Sequence, residues 1–275
     1  MKKPIVAILY DFDKTLCTKD MQEYAFIPAL GMSSAAFWGE VNALTDAQEM
    51  DSILAYMYKM VEKAQEKNLH ITRDTFRKMG RSVEFFEGVL NWFDRINQYG
   101  EAVGVRMEHY IVSSGIKEII EGTPIAEKFK KIYACEFMYN ENGFIQWPKF
   151  AVNYTAKTQF LFRINKGVLT TDSKSTEKLN RYTPENERRI PFRNMIYIGD
   201  GLTDVPCMKL VKTNGGQSIA VFDQEKGQEA AQKLRTDGRV NFIAAADYGV
   251  NSDMETIVQA IIQKIHAVEA LHMYQ

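Results

Sequence analysis

Four short stretches of this chain carry side chains that could do chemistry. Asp11 and Asp13 lie one residue apart at the end of an apolar run over residues 4–10. In an extended segment such a pair points to opposite sides. One carboxylate could then attack a substrate while the other handles a proton, or both could help to hold a cation. Ser113-Ser114-Gly115 ends a second apolar run, and a helical pattern opens at about Ile116. A small polar turn there offers free backbone N–H groups and a positive helix end to an anion. Lys157 begins another helical stretch and supplies a fixed cation. Gly199-Asp200-Gly201-Leu202-Thr203-Asp204 follows a third apolar run over 195–198. Glycines beside Asp200 allow close approach to a ligand. The four-residue offset brings Asp204 near Asp200 if the loop runs straight into a helix.

Each piece alone has a plainer meaning: a solvated acidic turn, a helix cap, a surface lysine. Together they supply a nucleophile, an acid/base, an anion cradle, a cation and a set of hard oxygen ligands. Carboxylate oxygens suit Mg²⁺, which takes one or two protein carboxylates, substrate phosphate and water. Hydrolysis of phosphate monoesters is so slow unaided that enzymes accelerate it by up to about 10²¹-fold. Charge neutralisation and in-line positioning must provide much of that. An aspartate nucleophile would divide the reaction through an aspartyl-phosphate. Its carboxylate meets like-charge repulsion from the phosphate, which Mg²⁺ and Lys157 would offset.

These groups need a scaffold that brings them to one place. The runs over 4–10, 107–112 and 195–198 read as buried strands, with further strands predicted over 218–222 and 240–244. Helices are expected over 83–99, with Phe86, Val89, Leu90, Phe93 and Ile96 as the apolar face and Gly100 as its stop, and over 224–234 and 253–270. This alternation predicts an α/β fold with a doubly wound parallel sheet. In such sheets ligands bind past the carboxyl ends of the strands, which is where the acids fall. Asn142-Gly143 between two strand-like runs predicts a hairpin over 133–148, a possible flap. Residues 167–194 read as a polar loop with one short helix at most, with Arg188-Arg189 in solvent.

Residues 18–82 break the alternation. They are rich in Met, Ala, Glu, Lys and aromatics at helical spacing, with Ile53, Tyr56, Met57, Met60, Val61 and Ala64 on one helix face. Thr72 with Asp74 marks another helix start. The stretch exceeds what one crossover needs and predicts a helical subdomain that could act as a lid. The organisation expected is a core of 1–17 and 83–275 with a helical insert over 18–82.

A net charge of −1 gives no bias toward nucleic acid or anionic membrane. Three scattered cysteines, Cys17, Cys135 and Cys207, argue against a disulfide framework or zinc site and predict a reducing, cytoplasmic setting. Met1-Lys2-Lys3 before the first apolar run has the outline of a signal peptide. That run is short, ends at Asp11 and lacks a small-residue cleavage site, so it reads as a strand. No apolar stretch reaches the roughly 18 residues of a membrane helix.

The segments Asp11-Phe12-Asp13-Lys14-Thr15-Leu16, Ile111-Val112-Ser113-Ser114-Gly115, Lys157 and Gly199 to Asp204 resemble, in order, the four motifs of the haloacid dehalogenase superfamily. The likeness is to its phosphoserine-phosphatase-like branch, and the insert over 18–82 resembles that branch's α-helical cap. The resemblance implies that Asp11 is the nucleophile and that Asp13 protonates the leaving group and later deprotonates water. It assigns Ser113 and Lys157, with Ser114 beside them, to the phosphoryl oxygens. It gives Mg²⁺ to the Asp11 carboxylate, the Asp13 backbone carbonyl and Asp200, with Asp204 as ligand or support. Ser114 stands where phosphoserine phosphatases have glycine. The activity implied is hydrolysis of a small phosphoester.

Other activities would need other residues. A dehalogenase needs neither Mg²⁺ nor a second acid, and phosphonate cleavage needs a cap lysine, for which Lys59, Lys63 and Lys67 are the candidates. A signalling receiver needs no insert. A catalytically idle binding protein would not need both Asp11 and Asp13.

Overall fold

Six consecutive apolar residues, Ile5 to Tyr10, are buried at every position. Only a strand covered on both faces accommodates such a run. In the computed structural model, which describes residues 3–272 and 274, this strand is β1 (Ile5–Tyr10). It is followed by β2 (Arg106–Ile116), β3 (Lys131–Tyr139), β4 (Ile145–Phe150), β5 (Met195–Gly199), β6 (Gln217–Phe222) and β7 (Phe242–Ala245). The seven form one sheet in the order β4-β3-β2-β1-β5-β6-β7. All pairs are parallel except β3 with β4. The chain fills one half of the sheet outward from β1 and then crosses back to start β5 on its other side. The order therefore reverses at the β1/β5 boundary, and a crevice opens at the carboxyl ends there. Tyr10 pairs with Ile198, which brings Asp11 and Asp200 out at the same level.

The expected elements are present with shifted ends. The helix expected over 83–99 spans Val89–Val103. It starts after Gly88, whose φ of 78° only glycine adopts readily, and stops at Gly104, whose φ is 97°. Gly100 does not stop it. A Cβ there would lie 2.6 Å from Met107 Cγ, so this glycine serves close packing of helix on β2. Trp92, not Leu90, completes its buried face, and Leu90 is exposed. The helix expected over 224–234 spans Glu229–Thr236, because Asp223 to Gly227 first forms a turn. The strand expected from Val240 begins at Phe242.

Residues 133–148 form the hairpin of β3 and β4, with Asn140 Oδ1 accepting from the N–H groups of Asn142 and Phe144. Within 167–194 lie a helix, Ser173–Asn180, and two single 3₁₀ turns, Glu185–Glu187 and Phe192–Asn194. Arg189 is not solvated as expected. It makes two hydrogen bonds, of 2.6 and 2.8 Å, to the buried carboxylate of Glu108.

Between β1 and Val89–Val103 lie helices Ser34–Gln48, Ser52–Glu66 and Arg73–Met79. Asp51 and Thr72 cap the second and third through their side chains. Ser52–Glu66 buries Ala55, Tyr56, Met57, Met60, Val61 and Ala64, one stripe at helical spacing. Where the chain leaves and rejoins the sheet it runs alongside itself. Thr18 N donates to Glu84 O at 3.0 Å and Phe86 N to Leu16 O at 3.0 Å.

Candidate active site

Asp11 is the first residue past β1, and its backbone N–H still donates to Ile198 O at 2.9 Å. The chain then turns tightly, with Leu16 N donating to Phe12 O. Lys14 takes the left-handed conformation, φ 55°. The turn sends Asp11 and Asp13 to different neighbours. Asp11 faces the end of β5, while Asp13 Oδ1 accepts the N–H of Met21 at 2.8 Å.

Lys157, on helix Ala156–Lys166, is fully buried. Its Nζ lies 2.8 Å from Asp204 Oδ1 and 3.1 Å from Asp11 Oδ1. Asp204 is also fully buried, and Tyr197 OH donates to the same Oδ1 at 2.7 Å. Its carboxylate lies over Gly199, where a Cβ would come within 2.5 Å of Asp204 Oδ2. A side chain at position 199 would push Asp204 off Lys157. Asp200 faces the crevice beside them. One carboxylate oxygen from each of Asp11, Asp200 and Asp204 falls within 4.8 Å of the others.

The electrostatics follow from that crowding. Burial first, then Asp204, pushes the Asp11 pKa up to about 7, with Lys157 opposing. Burial, then Asp204 and Asp11, pushes Asp200 up to about 8. Asp13 is held well above the usual carboxylate range by burial, Asp20 and Asp11. Burial alone would lower the Lys157 pKa, but Asp11 and Asp204 outweigh it and the net shift is upward. Such an acid cluster favours a bound cation, because a metal relieves both the repulsion and the desolvation. Asp11 Oδ1 is buried with the Lys157 ammonium 3.1 Å away as its one close polar neighbour among the described side chains. The oxygens of Asp11 and Asp200, with Asp204 beside them, are hard donors that fit a divalent ion of the Mg²⁺ type.

Ser113 and Ser114 lie at the carboxyl end of β2, where pairing with β3 shifts register between Val112 and Ile116. Ser113 Oγ accepts from Gly115 N at 2.9 Å, and its own O–H has no partner among the described residues. Ser114 Oγ donates to Val152 O at 2.7 Å, while its carbonyl accepts from Tyr56 OH at 2.5 Å. The Ser114 hydroxyl is thus engaged with the loop after β4. The helix after this turn, Lys117–Glu121, is only five residues long.

A cavity of about 340 Å³ opens beside these groups, and the fully buried Ser113, Lys157 and Asp204 are not among its lining residues. Asp11, Asp13, Ser114 and Asp200 form its floor, and Trp38, Val41, Ile53 and Tyr56 form part of the opposite wall. Lys14 and Asp20 meet at its edge, paired at 2.6 Å. Sequence reasoning missed Gln22, Trp38, Tyr56 and Tyr197. The first three belong to the insert, where an apolar helix stripe gives no sign of which member turns toward a site. Tyr197 lies inside an apolar strand, and only its partner reveals its role.

Comparison with known proteins accords with this arrangement. The family model for haloacid dehalogenase-like hydrolases matches residues 8–209. An uncharacterised protein of Borreliella burgdorferi is 28% identical over 274 residues, covering 90% of this chain and 93% of its own. A solved hydrolase of the same family from Salmonella enterica serovar Typhi superposes with a TM-score of 0.53 at 17% identity. That match covers 84% of this chain and 66% of the other. A phosphoserine phosphatase solved with its substrate bound gives a TM-score of 0.58 at 16% identity, over 94% of this chain and 99% of that one. At these identities the structural likeness is one of fold.

Proposed function

This chain belongs to the haloacid dehalogenase-like hydrolase family, and from that premise we propose that it is a Mg²⁺-dependent phosphomonoesterase. Its substrate is a small phosphorylated metabolite, cleaved through an aspartyl-phosphate on Asp11. The observation that carries this reading is the buried Asp11–Lys157–Asp204 array, with an Asp11 carboxylate oxygen grouped with those of Asp200 and Asp204.

Asp11 attacks phosphorus, and the bond from phosphorus to the alcohol oxygen breaks. Asp13 gives that oxygen a proton, a role that the upward direction of its pKa favours. Asp13, now ionised, takes a proton from water. The water oxygen attacks phosphorus, phosphate leaves, and Asp11 is restored. Lys157 and the Ser113 O–H hold phosphoryl oxygens throughout. Mg²⁺, held by the carboxylates of Asp11 and Asp200 and the Asp13 carbonyl, would supply neutralisation of nucleophile and phosphate. Asp204 lies close enough to share the ion, but Lys157 and Tyr197 already occupy its Oδ1. We assign it to holding Lys157.

Residues 18–82 serve as a cap over a core of 1–17 and 83–275. The paired backbones at residues 16–18 and 84–86 and the cavity wall of Trp38, Val41, Ile53 and Tyr56 support that division. Phosphonate cleavage finds no support, since Lys59 and Lys63 pair with Glu62, Glu40 and Glu66 and neither they nor Lys67 line the cavity. The three cysteines are buried and unpaired, and among the described residues no helix is long and apolar enough to cross a membrane. We infer a cytoplasmic setting.

The test is release of phosphate from p-nitrophenyl phosphate. Turnover should require Mg²⁺ and vanish in Asp11→Asn. No turnover of any phosphoester with Mg²⁺ present would favour an idle phospho-ligand binder.

A further inference from the structure

Past Asp13 the chain enters a short 3₁₀ turn, Met21–Glu23. The Met21 N–H is the group bonded to Asp13 Oδ1, at 2.8 Å. The next residue is therefore fixed relative to the acid that faces the leaving group. That residue is Gln22. It lines the cavity, it is only 2% exposed, and its Oε1 has no hydrogen-bond partner among the described residues. Buried amides are normally bonded, and a bare one is destabilising. An unpaired amide bordering a cavity beside the acid/base points to a partner that arrives with the ligand.

The rest of the wall narrows the chemistry of that partner. Trp38, Val41, Asn42, Ser52, Ile53 and Tyr56 line it, and none carries a charge. Asp20, an acid of the cap, and Lys14 also line the cavity but are paired with each other at 2.6 Å, and Glu23 accepts from Trp38 Nε1 at 3.0 Å. A zwitterionic leaving group would bring an ammonium and a carboxylate into a wall with no unpaired charge to receive either. A hydroxyl both donates and accepts, which matches the amides of Gln22 and Asn42 and the hydroxyl of Ser52.

We propose that Gln22 is a specificity-determining residue, selecting phosphomonoesters of neutral polyhydroxylated alcohols over those of amino acids. This rests on the phosphatase reading above. The experiment measures kcat/KM with Mg²⁺ for glycerol phosphate, a hexose monophosphate, phosphoserine and p-nitrophenyl phosphate. A polyol ester should exceed phosphoserine by about tenfold or more, the weight of one or two hydrogen bonds. Gln22→Met keeps the volume and removes the amide. It should lower the polyol-to-nitrophenyl ratio of kcat/KM by about tenfold. Asn42→Ala, at an exposed helix position, reads the same ratio and should lower it in the same direction even if the Gln22 variant misfolds. Preference for phosphoserine, or an unchanged ratio in a folded Gln22 variant, overturns this proposal while nitrophenyl turnover upholds the phosphatase. Absence of all turnover overturns both.

Discussion

Lys157→Met should destabilise the protein strongly, and in a pH-dependent way that identifies the cause. The ammonium is fully buried, 3.1 Å from Asp11 Oδ1 and 2.8 Å from Asp204 Oδ1. Methionine keeps most of the stem packing and removes the charge. Breaking a buried ion pair from one side costs about 3–5 kcal/mol. For a chain of this size that corresponds to a fall in Tm of roughly 6–20 °C. The Asp11 carboxylate left behind can stay buried only by taking a proton, so its folded pKa, already up at about 7, rises further above the unfolded value of about 3.9. The folded state then binds more protons than the unfolded state above that pH, and stability falls as pH rises. The loss should therefore be larger at pH 8 than at pH 5, measured by urea unfolding in the presence of a chelator. Adding Asp204→Asn should recover part of it. A loss below about 1 kcal/mol, or one larger at pH 5, would refute the reasoning.

Asp13→Asn should lower kcat by about 10²–10⁴-fold. It should also leave stability at pH 8 equal or higher, because the raised Asp13 pKa means that ionising this half-buried acid works against folding. Kinetics and thermal melts check the two halves. Gly199→Ala puts a methyl 2.5 Å from Asp204 Oδ2. It should cost about 1–3 kcal/mol by overpacking and reduce kcat by displacing the partner of Lys157. Burial raises the Glu108 pKa, and Arg189, with Tyr110 and Arg106, more than offsets it and leaves the pKa below its ordinary value, so Arg189→Met removes a main part of that hold. A depressed carboxylate pKa stabilises above the unfolded value and is lost as pH falls, so the variant should lose about 1–3 kcal/mol at pH 7. The difference from wild type should shrink as pH falls below the ordinary carboxylate range and Glu108 protonates.

The strands that carry the site were legible because a buried parallel strand writes itself as an unbroken apolar run that ends in polar residues. The runs before Asp11, Ser113 and Asp200 all did so, and the sheet brings their ends together. Lys157 was legible only as one member of an ordered set, since nothing local distinguishes a buried lysine from a solvated one. Helix ends were less legible. Gly100 looked like a stop, yet a glycine chosen for close packing against Met107 has the same letter as one chosen for positive φ. Arg189 resembled surface for a related reason, because its partner Glu108 lies far away in sequence on β2. The cap's contribution was the least legible. A helix stripe shows which face is buried, and the cavity takes Trp38, Ile53 and Tyr56 from helices whose mutual placement no local pattern records.

The central claim is that Asp11 carries the phosphoryl group. Acid quenching during turnover of a rapidly cleaved phosphoester, followed by peptide mapping by mass spectrometry, tests it directly. The account predicts one added phosphoryl group on the peptide containing Asp11, sited on that carboxylate and absent in Asp11→Asn. A modification on any other residue, or full turnover by Asp11→Asn, would contradict it.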